Sequence, residues 1–401
     1  MSDQAPLLIG VDGGATEIKA HAVNCHESGR STAFELRPES AARIYPRVAE
    51  FTPVPVAEQF GQRDAGNVQL TAAEIEQGRK WVRAAAEAIV EVARACGARR
   101  VLVGIGMPGL KTPDGRGIGV INNGPRIPEY LEALEQTLEA DGVGLVCPVA
   151  ALGSDADYCG LGEEHAADGL FRGVTQAYYA GCGTGIADAM KLEGQLVTFD
   201  AAKPWMMKAW QIPSALGPTF EKLVSAQSLN RVYCGLLPRA TVSDAGTSAT
   251  SYPEAAAAAG HATARTWLDT AALVLAELIF ERLWTIKNGR ADAPHRGEAY
   301  ARLSPDHAYH GVLLDRVVIG QRLGLIHAAP EYHAVFRDRL DAHLAALLAG
   351  CDDAELRRTY LVDQGGAAGG LVLRPGFVQA SRLRAAPALG AAVAAVQAVR
   401  D

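Results

Sequence analysis

The chain has 401 residues, 49% of them hydrophobic and 21% charged, with a net charge of −7. That length exceeds one ordinary core, so two domains are expected. With no basic face or Lys/Arg run, nucleic acid and anionic membrane surfaces are not expected partners. The seven cysteines include no CxxC or CxC pair, which argues against a disulfide framework and a cysteine zinc site. The opening MSDQAPLLIGVDGG lacks a basic n-region and long apolar core, and no stretch reaches the roughly 18–20 apolar residues of a membrane span. The chain therefore reads as reduced and cytoplasmic.

In chain order, Leu7 to Val11 is an apolar strand running into Asp12-Gly13-Gly14, and Ile18 to Val23 alternates as a second strand, which makes a β-hairpin. Residues 37–70 hold four prolines and little periodicity, an irregular excursion. Thr71 with Glu74 reads as a capping box opening a helix that stops at Gly97. Strands follow at Val101 to Gly106, Ile118 to Ile121 and Val143 to Ala151, with a helix over Pro128 to Ala140 and a turn from Ser154. The strand Thr175 to Ala180, the turn GCGTG and the strand after it repeat the layout of the opening hairpin without repeating its sequence. The remainder is mainly helical: His261 to Lys287, a buried strand at Asp315 to Gly320, and helices near Pro330 to Leu348 and Pro387 to Arg400.

Three segments could carry chemistry. In VDGGATEIK, two glycines let backbone approach a phosphate, Thr16 adds a hydroxyl, and Asp12 could hold Mg²⁺. In GCGTGIA a second glycine turn sits between strands with Thr184 as a hydroxyl; it is neither a Walker loop nor a dinucleotide fingerprint. Each alone is equally a plain hairpin turn. In SDADYCGLGE, Asp155, or alternatively Asp157, follows a buried strand and could accept a proton from a hydroxyl. An Asp there is otherwise an N-cap.

The DGGxT turn, an IGMPG loop, an Asn-bearing segment, a DA…LGE segment and a GTG turn, in this order over residues 5–235, resemble the ROK family of sugar kinases. The rest of the chain resembles it faintly, through RVVIGQRLG and LGAAVAA. The resemblance implies an α/β, two-domain actin-like ATPase (ribonuclease H-like) fold, with mixed sheets flanked by helices and a cleft between domains. The N-terminal domain would span 1–150, with the final helix at about 387–400 packing back on it, and the larger domain 151–386. It also implies an ATP-dependent phosphotransferase acting on a hydroxyl of a small sugar or sugar-like substrate. Asp12, Gly13, Gly14 and Thr16 would face Mg²⁺ and the nucleotide phosphates, and Gly183, Thr184 and Gly185 would form the opposing phosphate turn. Gly320 would lie near the adenosine, Asp155 would be the general base, and Asn122, Asn123 and Glu221 would bind substrate. A homodimer is implied because family members are often dimers.

The departures bear on substrate. The residue before the base is Ser154 where the family has Asn, and the ExGH sugar motif and zinc-binding Cys cluster are missing, so no structural zinc is expected. In their place stands VTFDAAKPWMMKAWQIPSALGPTFE, either a structural loop or a rebuilt pocket in which Trp205, Trp210 or Lys208 meets the substrate. That argues against plain glucose and for an unusual sugar, an amino sugar or a C7-cyclitol. N-acetylglucosamine kinases of the same superfamily share the DGGxT opening and are a fallback. The alternative from another class is a non-catalytic sugar sensor on the same fold.

Overall fold

The apolar run after Pro6 folds as β1 (Leu7–Gly13), and the glycine turn returns the chain antiparallel as β2 (Glu17–Ser28). A third strand, β3 (Ser31–Ile44), continues the meander. The proline-rich stretch 37–70, expected to be irregular, thus supplies the end of β3 and then a helix, α1 (Val56–Asp64). Pro38 is tolerated because β3 is an edge strand and the register shifts there, residues 37–39 lying opposite Ala22 alone. The helix α2 (Ala72–Ala95) has the expected cap, Thr71 Oγ1 accepting from the Glu74 amide at 3.1 Å. The reciprocal half of the capping box does not form, because the Glu74 carboxylate is taken by Arg126. Trp81, Ala85, Ile89 and Val92 share the buried stripe of α2 that covers the meander.

β4 (Arg100–Met107) adds parallel to β1. A small hairpin, β5 (Leu110–Lys111) and β6 (Ile118–Val120), and the helix α3 (Tyr130–Ala140) follow. The single strand expected over 143–151 is instead two short pieces, β7 (Gly144–Leu145) and β8 (Leu152–Ser154), which pair with opposite ends of β4. Pro148 lies between them and has no N–H to give a ladder. The turn expected at Ser154 is a helix start, α4 (Asp155–His165).

The C-terminal helix Ala386–Arg400 lies against β1, β4 and α4. Its approach is backbone to backbone. A Cβ on Gly10 would stand 1.9 Å from the Ala388 carbonyl oxygen, one on Gly104 1.8 Å from that of Ala391, and one on Gly162 2.3 Å from that of Ala386. Only glycine fits these places. Residues through Arg172 and those from Ala385 onward form one compact unit, and Gly173–Arg384 form the other. The structure, a computed structural model, describes residues 6–28, 31–237, 252–364 and 370–400.

In the second unit β9 (Ala177–Cys182), β10 (Ile186–Leu192) and β11 (Gln195–Val197) form another antiparallel meander. β12 (Arg316–Gly320) is parallel to β9, β13 (Leu361–Asp363) and β14 (Leu371–Leu373) make a separate hairpin, and β15 (Val378–Ala380) is parallel to β12. The two main sheets therefore read β3-β2-β1-β4-β7 and β11-β10-β9-β12-β15, three antiparallel strands and then two parallel ones in each. The likeness read between the two hairpins extends to whole sheets. The helix Ala262–Asn288 is buried along most of its length and is the centre of this unit's core. It carries a buried charge, Arg282, neutralised by Asp188 at 2.9 Å and Glu281 at 2.6 Å. Pairing is required, since an uncompensated guanidinium in the core costs several kcal/mol, on the order of 3–5.

Candidate active site

In the first unit, strand register assembles the site. Asp12 lies opposite Gly106 across β1 and β4, and Gly106 opposite Gly153 across β4 and β8. All three strands run parallel and end together, the edge at which α/β sheets receive ligands. Ser154 caps α4, its Oγ accepting from the Asp157 amide at 3.4 Å, and Asp155 is the first helical residue. The Asp155 carboxylate accepts from the Ala156 amide at 3.0 Å. Since Ser and Asn serve equally as N-caps, Ser154 preserves the helix start. Asp157 donates its amide to that cap, and Asp155 is the carboxylate whose charge reaches Asp12.

That charge acts on Asp12 together with burial. The Asp12 carboxyl is pushed up to about 7, first by burial and then by Asp155, with Lys19 pulling in the opposite direction. Lys19 itself is bound to Glu17 at 2.7 Å. A buried carboxylate whose charge is disfavoured by a second carboxylate nearby is a donor suited to a hard divalent cation. The turn beside them is closed by the Gly14 amide donating to Glu17 O at 2.9 Å. Gly13 is packed on Met107, whose sulfur would be 2.0 Å from an added Cβ, and Thr16 is exposed.

Asn122 and Asn123 are exposed on the loop after β6, and that loop is anchored from both sides. Buried Gln59 donates to Ile121 O and accepts from Ile121 N, both at 2.8 Å. Arg126 is fully buried and forms a forked pair with Glu74, both bonds 2.8 Å, while its own amide donates to the same carboxylate at 3.0 Å. Gly124 lies on Trp81, where a Cβ would come within 2.5 Å of the indole. The two asparagine side chains make no hydrogen bond among the described residues.

In the second unit the turn Gly183-Thr184-Gly185 joins β9 to β10. The Gly183 amide donates to Gly185 O at 2.9 Å, and Gly183 O accepts from the Ala226 amide at 2.7 Å. Thr184 is exposed. Glu221, in the short helix Phe220–Val224, accepts from the Ile186 amide at 2.9 Å, and its carboxylate leaves only 2.6 Å for a Cβ at Gly185. Gly320 ends β12 opposite Gly181, and the Tyr179 side chain covers both, its hydroxyl oxygen 1.9 Å from the Cβ position that Gly320 lacks and its ring 2.6 Å from that of Gly181. Two residues here escaped the sequence reading. One is Tyr179, indistinguishable in sequence from any strand aromatic. The other is Gln321, which has a left-handed backbone, φ 58°, and reaches over Gly183. Gln321 also starts a helix, Gln321–Ala328, for which the sequence reading, with its strand ending at Gly320 and its next helix near Pro330, has no counterpart.

The Trp/Met-rich segment is largely core. Trp205 is buried and stacked on His307 with ring centroids 4.1 Å apart, and Met206 and Ala209 are buried. Lys208 sits over the Phe199 ring at 4.5 Å. Met207 O and the Ala209 amide are held by Arg282 and Asp188, each at 2.9 Å. Of the three residues considered for substrate contact, only Trp210 offers a large exposed surface, 45%. His165 packs edge-on to Phe34 in the first unit, while His307 and His310 lie together in the second, centroids 4.4 Å apart. No group of three or more His, Cys, Asp or Glu with metal-binding geometry occurs among the described residues. Among those residues, too, no helix is long and apolar enough to cross a membrane.

No family model matches the chain, and no curated protein does. Solved structures do. A ROK family glucokinase from Streptomyces griseus, in complex with glucose and AMPPNP, is 18% identical, with TM-score 0.55 over 98% of this chain and 99% of that one. A ROK hexokinase from Thermus thermophilus is 19% identical, TM-score 0.51, with 98% and 99% covered. An inorganic polyphosphate/ATP-glucomannokinase from an Arthrobacter strain is 15% identical, TM-score 0.50, with 98% and 100% covered. At these identities the likeness is one of fold. The chain has the two-unit α/β fold found in ROK-family sugar kinases.

Proposed function

We propose that this protein is an ATP-dependent phosphotransferase acting on a hydroxyl of a small sugar or sugar-like molecule. One observation carries the reading: Asp12 and Asp155 stand at the ends of β1 and β8, the parallel strands on either side of β4, beside a glycine turn, with the charge of Asp155 adding to burial in raising the Asp12 carboxyl to about 7. A cation would relieve that repulsion, and Mg²⁺ when bound supplies neutralisation of phosphate charge. Asp12 would hold it, with Gly13 and Gly14 letting the phosphates approach the turn closely and Thr16 offering a hydroxyl to a phosphate oxygen. Gly183, Thr184 and Gly185 would do the same from the second unit, with Gly320 near the adenosine.

Phosphoryl transfer asks little covalent chemistry of a protein beyond alignment and a proton acceptor. Asp155 is assigned that role. It takes the proton from the attacking hydroxyl as the new P–O bond forms and the bond to the ADP leaving group breaks. Asn122 and Asn123, unspent on a braced loop, would bind acceptor hydroxyls. Glu221 is assigned to substrate with the Ile186 amide as its fixed anchor. The rebuilt segment around Trp210 and the missing ExGH motif favour an amino sugar, N-acetylated sugar or cyclitol over glucose.

The test is ADP release with ATP and Mg²⁺ across hexoses, amino and N-acetylated sugars and cyclitols, using the unsubstituted chain and Asp155→Asn. Turnover with one acceptor class that Asp155→Asn abolishes is expected. Turnover that persists in Asp155→Asn removes Asp155 from the base role. No turnover and no ATP binding would sink the reading.

A further inference from the structure

Gln321 combines four features that its neighbours do not share. It follows the last residue of β12, at the strand edge where Gly320 lies opposite Gly181 and next to the β9–β10 glycine turn. Its φ of 58° is a left-handed conformation that L side chains other than Asn and Asp seldom adopt. Its carboxamide oxygen occupies the place a side chain at Gly183 would need, 1.5 Å from that Cβ position. Finally, Gln321 is exposed, and its side chain makes no hydrogen bond among the described residues. The surroundings hold it there. Arg322 is tied to Glu254 by bonds of 2.7 and 3.0 Å and to Ala226 O at 3.3 Å, and the Ala226 amide in turn holds Gly183 O. A strained residue whose side chain gains nothing from the protein has its reward elsewhere, and such residues gather at ligand sites.

We infer that Gln321 contacts the donor nucleotide, its carboxamide N–H groups donating to a phosphate oxygen seated on the Gly183–Gly185 turn. This rests on the phosphotransferase reading. The left-handed backbone aims the side chain back across the turn, and the absence of a side chain at Gly183 leaves room for it. A hydrogen bond to a charged oxygen is among the stronger kinds, so its loss is read as about a tenfold fall in affinity.

The experiment is binding of AMPPNP with Mg²⁺ to the full chain by calorimetry, with thermal unfolding of each ligand-free variant. Gln321→Gly removes the side chain and the backbone strain together. It is expected to bind AMPPNP about tenfold more weakly while its Tm is unchanged or raised. Gln321→Asn tolerates the left-handed backbone but is too short to span Gly183, and should show the same weakening without added flexibility. Adenosine, which has no phosphate, should bind both variants and the unsubstituted chain equally. Unchanged AMPPNP affinity in both variants overturns the role of Gln321 and leaves the kinase reading standing. A lower Tm in Gln321→Gly would make Gln321 a brace of the turn and overturn it too. Failure of the unsubstituted chain to bind AMPPNP overturns both readings.

Discussion

At the scale of single residues, Asp12 has the clearest electrostatic signature. Its folded-state pKa of about 7 lies above the ordinary 3.8 because burial and Asp155 disfavour its charge. In the unfolded chain it ionises near the ordinary value, so between those two pH values the folded state holds a proton that the unfolded state has lost. Stability therefore falls as pH rises from about 4 to 7, and the cost is full above 7. Asp12→Asn should raise stability at pH 8 by on the order of 2 kcal/mol and have little effect at pH 4, a difference that thermal unfolding at the two values would detect. If Asp12 holds the cation, Mg²⁺ must compete with that proton. Mg²⁺ should then raise Tm more at pH 8 than at pH 6, and should cease to do so in Asp12→Asn; equal shifts at both values would separate the metal from Asp12. Asp12 and Asp155 were both readable in sequence, because each follows an apolar strand at a glycine-rich break. Their coupling was not, since it depends on β1, β4 and β8 ending in register. Gln321 was invisible for another reason: nothing in VVIGQRLG records a backbone angle.

Elements locate these residues through close packing. Tyr158 of α4 lies against two strand glycines, and a Cβ on Gly153 would fall 1.9 Å from its ring and one on Gly106 2.9 Å away. Gly153→Ala should push α4, and Asp155 with it, off the strand edge. We expect a loss of about 1–3 kcal/mol of stability together with a lower kcat, measured by denaturant unfolding and turnover. The loop carrying Asn122 and Asn123 depends on the buried Glu74–Arg126 pair. Glu74→Ala leaves the guanidinium uncompensated, so a loss of about 3–5 kcal/mol is expected. The milder Glu74→Gln should raise KM for the acceptor more than KM for ATP, and equal rises would detach the loop from acceptor binding. Long helices such as α2 were legible from periodicity and their caps. The helix α4 was read as a turn because DADYCGLGEEH carries two glycines and no apolar stripe. Gly162 is the reason for one of them, since it lets the C-terminal helix approach. The 37–70 stretch misled because prolines usually mark loops, whereas a register irregularity at a sheet edge accommodates Pro38.

For the molecule as a whole, the repeated sheet topology was only faintly legible, through two glycine turns in similar settings. Strand order is a property of long-range pairing that local pattern does not encode. The same topology makes the chain cross between its units twice, after Arg172 and after Arg384. A chain ending at Arg384 would keep every residue of the second unit and strip the first of the helix covering β1 and β4. Hydrogen exchange on that truncated chain should find the Ala262–Asn288 helix still protected and β1 and β4 exchanging rapidly. Protection of both would mean the C-terminal helix is dispensable. The glycine-lined bed at Gly10 and Gly104 also sets an order of events on the ribosome. The first unit has to wait for residues 386–400, with its sheet uncovered, while everything from Gly173 to Arg384 is made before them. Completion thus runs from the later-made half to the earlier one, and that uncovered sheet is the surface a chaperone would meet during the delay.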